Sequence, residues 1–193
     1  MATICQLRTP TVIAIAGVAG SGKSTLGRRL AHRLNAPVLD LDSLTNPLLD
    51  QLEAVLGGHW LRGPHAAGIR AGRYASMRAT AADIVASTGV VILVAPFTAE
   101  LGGGTEWRQL RHAVAPAEVR VARIVGAPEV FAARRELRGE LRDRHRPIET
   151  AEPVVQVPHV AIDAAQSTDL QLAQLLRELQ IESGQAPGDQ RLV

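Results

Sequence analysis

The chain predicts an α/β fold in three layers, with about five parallel strands between two layers of helices. Two observations carry this. Short runs that are apolar throughout, as strands buried on both faces read, alternate with longer segments whose apolar residues recur at helical spacing. The first such run also passes directly into a glycine-rich segment that opens a helix.

In chain order, residues 11–16 are the first strand, an apolar run followed at once by glycines. Residues 24–34 are a helix, with Leu26, Leu30 and Leu34 four apart. Residues 38–40 form a short second strand. Asn46-Pro47 reads as the start of another helix, Asn as cap and Pro at the first helical position, running to about Leu56 and stopping at Gly57-Gly58. A loop over 59–65 precedes a long helix over 69–87. Residues 90–95 are the most apolar run and a central strand. The glycines at 102–104 argue against regular structure there. A helix over 106–114, a strand over 119–125 and an arginine-rich helix from Pro128 to about Arg142 follow. The last strand spans 159–162 and the last helix 169–181. Residues 183–193 have the composition of a disordered tail, which leaves a single domain over 1–182.

Composition bounds the function. Of 193 residues, 46% are hydrophobic and 3% aromatic, so the core is built from Val, Ile, Leu and Ala. The N-terminus has no signal-peptide core, and no stretch reaches the roughly 18 apolar residues needed to cross a membrane. One cysteine, Cys5, excludes an internal disulfide. A cytoplasmic monomer or homodimer is the expectation. The net charge is only +2, and acids interleave with bases, so charge does not indicate nucleic acid as a partner. Lys23 is the only lysine among 21 basic residues. It lies inside the glycine-rich segment, where a compact ammonium group has a particular use.

That segment, Gly17-Val18-Ala19-Gly20-Ser21-Gly22-Lys23-Ser24 and then Thr25, fits G-x-x-x-x-G-K-[ST] without a mismatch. Its glycines let successive amides converge on phosphate oxygens, and the helix that follows points its positive end at the same place. The implied ligand is ATP or a similar nucleotide with Mg²⁺. Lys23 would reach the β- and γ-phosphates, and the Ser24 hydroxyl would serve the metal. The expected fold is therefore the three-layer P-loop NTPase fold.

Asp40 and Asp42 stand at the carboxyl end of the second strand, where ligands of such sheets bind. Alternation along an extended segment would turn both carboxylates to one side. One could hold a metal-bound water, and the other could take the proton of an acceptor hydroxyl. A plainer reading makes one of them a helix cap.

The glycine-rich segment followed by Asn35-Ala-Pro-Val-Leu-Asp40-Leu-Asp42 resembles the shikimate kinase and gluconate kinase group of P-loop small-molecule kinases. Asp42-Ser43-Leu44 is also similar to a stretch of chloramphenicol phosphotransferases. The resemblance implies Asp42 as the base and Asp40 as the metal-side carboxylate. It extends more weakly through Arg73-Tyr74 and Gly89 to Phe97. Two departures matter. Ala95 stands where these kinases often carry a second acidic residue. Gly102-Gly-Gly104 comes several residues too late to match the substrate-contacting glycines of shikimate kinases, which speaks against shikimate as acceptor.

In that group the segment around Arg134, Arg138 and Arg142 is a lid whose arginines close over the transferring phosphate. Arg138 and Arg142 are the candidates here, although Glu136 and Glu140 could pair them on a solvated helix. Arg70 and Arg73 are candidates for the acceptor pocket. His59, Trp60 and His65 either line that pocket or, for Trp60, belong to the core. The sequence thus supports an ATP-dependent kinase acting on a hydroxyl of a small sugar, sugar acid or similar metabolite. A nucleotide or nucleoside kinase and a non-catalytic nucleotide switch are the alternatives.

Overall fold

A computed structural model describes residues 9–56, 59–138 and 154–179, with the backbone alone at 135, 137 and 138. Among these residues, strands β1 (Thr11–Ala16), β2 (Val38–Asp40), β3 (Val90–Val94), β4 (Glu118–Val125) and β5 (Val160–Asp163) form one sheet in the order β2-β3-β1-β4-β5. Every pairing is parallel, with Ile13 of β1 opposite Ile92 of β3 on one side and Arg120 of β4 on the other. The helices are α1 (Lys23–Leu34), α2 (Leu41–Gln51), α3 (Glu53–Leu56), α4 (Ala66–Thr88), α5 (Thr105–Ala113), α6 (Pro128–Arg138) and α7 (Thr168–Glu178).

The alternation of side chains along β1 divides the core in two. Val12, Ala14 and Ala16 meet Tyr74, Met77, Ala81 and Val85 of α4 and Leu110 of α5. Ile13 and Ile15 face the other layer, where they meet Leu26, Leu30 and Leu34 of α1 and Leu175 of α7. The three-layer α/β fold is thus a direct result of a central strand buried on both faces. Helix α1 lies very close to the sheet. A Cβ placed on Gly27 would come within 2.5 Å of Val94 Cγ2, so only glycine permits this approach.

Most predicted boundaries shift by one to three residues, but two expectations change in kind. The helix expected to open at Asn46-Pro47 begins at Leu41, and Pro47 lies inside it. Asp40 Oδ1 accepts from the Asp42 amide at 3.0 Å and caps the helix earlier than the Asn-Pro signal would. Ser43, whose carbonyl Pro47 cannot serve, is solvent-exposed, so water can take the missing donor's place. The glycine run is also ordered into structure: Glu100–Gly102 is a 3₁₀ turn, and Gly104 is the N-cap residue of α5. The tail over 183–193, Gly57-Gly58, Arg142 and the end of the last helix at Ile181 lie outside the described residues.

Candidate active site

The site gathers at the carboxyl ends of β1, β2 and β3. Beyond β1 the chain curls through residues 17–22, and Gly22, at φ 97°, occupies the N-cap position of α1 in a left-handed conformation suited to glycine. Ser21 N–H donates to the Val18 carbonyl at 3.2 Å, and Lys23 Nζ donates to the same carbonyl at 3.2 Å, which folds the ammonium over the turn. Lys23 is buried. The Ser21 hydroxyl is buried with no hydrogen-bond partner among the described residues. A buried polar atom left this way fits a cradle completed by an oxygen-rich ligand such as phosphate. Gly17, Val18, Ala19 and Gly20 form the wall before it, and Thr25 faces solvent in the first turn of α1.

Ser24 Oγ donates to Asp40 Oδ2 at 2.6 Å. This joins the first turn of the cradle helix to the end of β2 and sets side by side two oxygen groups of the kind that hard cations bind. No group of three or more His, Cys, Asp or Glu poised to hold a metal occurs among the described residues. A magnesium ion that keeps several waters and takes phosphate oxygens does not need one.

Asp40 and Asp42 are brought together by the cap rather than by strand alternation, because Asp42 is already in the first turn of α2. Arg73, from the middle of α4, meets Asp42 with Nη2 to Oδ1 at 2.7 Å. The same guanidinium donates from Nε to Thr45 Oγ1 at 2.8 Å and from Nη2 to Asn46 Oδ1 at 2.8 Å. Its central carbon lies over the Trp60 ring, 4.6 Å from the centroid. One turn earlier, Arg70 donates to Thr98 Oγ1 at 3.0 Å and lies over Tyr74. Tyr74 OH in turn accepts from the Phe97 amide at 3.1 Å, holding a residue at φ 54° just past β3. Burial, and secondarily the Glu100 carboxylate, push the Tyr74 hydroxyl well above its ordinary pKa.

Trp60 is core-like in burial, with Nε1 donating to Asp50 at 2.9 Å. It also lines, with His59, Arg62, His65 and Ile69, a cavity of about 210 Å³. The burial of Trp60 agrees with its reading as a core residue. Arg138 is the last residue of α6, its side chain outside the description, and Arg142 lies beyond the described residues. Arg134, which the sequence placed in the same stripe without choosing it, reaches the cradle. Its Nη2 donates to the Ala164 carbonyl at 2.9 Å and its Nη1 approaches the Ser21 carbonyl at 3.5 Å. Its spacing of four from Arg138 was the available signal. Glu100 is buried in the 3₁₀ turn that follows β3.

A glycine-rich cradle between the central strand and its helix, on a sheet of this order, defines the fold of the P-loop kinases. The shikimate kinase family profile matches residues 19–49, the cradle through most of α2. A search of curated protein sequences found no match. Among solved structures, a gluconokinase from Sinorhizobium meliloti 1021 is similar at a TM-score of 0.62 and 23% identity, covering 90% of this chain and 94% of that one. The APS kinase of Mycobacterium tuberculosis, in complex with AMPPNP and APS, is similar at a TM-score of 0.62 and 18% identity, covering 89% and 98%. A shikimate kinase from Aquifex aeolicus is similar at a TM-score of 0.52 and 18% identity, covering 88% and 96%. The fold that these proteins share is the fold of this chain.

Proposed function

We propose that the protein is an ATP-dependent kinase that moves the γ-phosphoryl group to a hydroxyl of a small metabolite, with sugars and sugar acids as the leading acceptors. The observation that carries this is the hydrogen-bonded line from Ser24 to Asp40 and on to Asp42. It supports the reading because it ties the first turn of α2, where Asp42 stands, to the first turn of the cradle helix.

In this mechanism Asp42 takes the proton of the acceptor hydroxyl as its oxygen attacks the γ-phosphorus and the bond to the β-phosphate oxygen breaks, releasing ADP. Lys23, the cradle amides and the lid arginines, Arg138 and Arg142, offset charge on the transferring group. Ser24 and Asp40 would hold Mg²⁺, which would neutralise charge on the β- and γ-phosphates. Arg134 already stands beside the cradle, one turn before Arg138. Arg70, beside Thr98 just past β3, would meet the acceptor. Arg73 stands on the base itself.

ADP release, followed with ATP and Mg²⁺ across gluconate, other sugar acids, sugars and nucleosides, tests the reading. At least one sugar or sugar acid should stimulate turnover well above the rate with ATP alone. Asp42→Asn should lower that stimulated rate by about 10²- to 10⁴-fold while leaving binding of a non-hydrolysable ATP analogue intact. ATP turnover equal with and without every acceptor would sink the kinase and leave the switch.

A further inference from the structure

Arg73 does not face an open pocket. Three of the five N–H donors of its guanidinium are directed into α2, to Thr45, Asp42 and Asn46. The Thr45 hydroxyl commits its own proton to the Leu41 carbonyl at 2.7 Å, so toward Arg73 it can only accept. Below the guanidinium lies Trp60, only 4% exposed. Trp60 is itself fixed, because its Nε1 donates to the Asp50 carboxylate near the far end of α2. Both ends of α2 are thus tied to one arginine of α4, Asp42 directly and Asp50 through the indole.

We infer that Trp60 is a positioning residue for the base: held by Asp50, it keeps Arg73 where its Nη2 fixes Asp42 Oδ1. This rests on the reading of Asp42 as the group that takes the acceptor's proton. It departs from the expectation that Arg73 binds the acceptor, since three of the arginine's five donors are directed into α2. A guanidinium lying over a buried ring is held in place by it, and its Nη2 then anchors the one carboxylate oxygen it meets. Without the ring, the long arginine side chain regains rotamers, and the carboxylate loses its fixed direction. Misplacement of a catalytic group by about 1 Å can cost on the order of 10²-fold in rate, so such a clamp has a catalytic use.

Trp60 and Trp107 are the two tryptophans of the chain, so the Trp107→Phe protein reports on Trp60 alone. In that protein Arg73→Met removes the cation from the ring and should change the emission of Trp60. Asp42→Ala, which removes the carboxylate that Arg73 meets, should change the emission in the same direction by a smaller amount, and should add nothing once Arg73→Met is present. An unchanged emission in Asp42→Ala, or an equal change with and without Arg73, would overturn the relay. Kinetics with gluconate and ATP supply the second readout. Asp50→Ala should lower kcat about 3- to 10-fold with the KM for gluconate nearly constant, and Asp50→Asn, which still accepts from the indole, should restore it. A rise in KM alone would make Trp60 a pocket wall and refute the positioning role. A wild-type protein inactive on every acceptor would remove the kinase reading, while the fluorescence coupling would still judge the relay.

Discussion

Asp40 serves two neighbours at once. One oxygen caps α2 through the Asp42 amide, and the other accepts from the Ser24 hydroxyl. The two roles separate by substitution. Asparagine caps a helix about as well as aspartate, whereas loss of the cap to alanine costs about 1 kcal/mol. Asp40→Asn should therefore unfold in urea within about 0.5 kcal/mol of the native protein, and Asp40→Ala should be the less stable by about 1 kcal/mol. Both should need more Mg²⁺ to reach half-maximal ADP release, because both lack the negative charge. If Asp40→Asn shows a native Mg²⁺ requirement, the carboxylate has no part in holding the metal. At this scale the cradle was legible because one contiguous motif carries its whole mechanism. The contacts that complete the site were not. Arg73 and Asp42 are 31 positions apart, and Arg134 and Ser21 are 113 apart, so only the fold brings them together.

Elements differ in how far their sequence determines them. β1 and β3 were legible because a strand covered on both faces must be apolar throughout. α2 misled at its start because it contains two capping signals, Asp40 and Asn46-Pro47, and the choice depends on where β2 delivers the chain. The glycines of the 100–104 turn misled differently. They allow a 3₁₀ turn and a left-handed residue at Gly103, which composition alone reads as irregularity. α1 shows a constraint that no helical periodicity reveals. Alanine at an exposed helix position is worth about 1 kcal/mol over glycine. At Gly27 the added methyl would lie 2.5 Å from Val94 Cγ2, and overpacking of this kind costs about 1–3 kcal/mol. The β-branched Val94 has little rotamer freedom with which to yield. Gly27→Ala should thus be a net loss, lowering the midpoint of thermal unfolding by about 2–6 °C. A midpoint that rises would show that the sheet retreats from α1 at little expense.

The stability of the whole molecule should carry the mark of one buried acid. Glu100 is 3% exposed, and its Oε2 has no hydrogen-bond partner among the described residues. It borders a small space lined by Phe97, Leu101, Trp107 and Val157 that leaves no room for a water molecule. Burial therefore raises its pKa above the ordinary 4.5; its own backbone amide, Arg70 and Arg78 pull the other way, and Glu106 adds to the rise. In the unfolded chain Glu100 gives up its proton near its ordinary value, whereas in the folded protein it holds that proton to higher pH. Its favourable contribution is complete below pH 4.5 and is lost as pH climbs through the raised value. Glutamine matches the neutral acid in shape and cannot ionise. Urea midpoints of the native chain and Glu100→Gln, measured at intervals from pH 4 to 8, should lie closest at the acid end. The variant should then gain on the native chain as pH rises, and the gap should level off once the folded carboxyl has ionised. Parallel midpoints across the range would mean that Glu100 ionises in place or finds water by local opening of the 100–104 turn. That would put the flexibility of this domain beside β3, next to Thr98 and Arg70 at the mouth of the site.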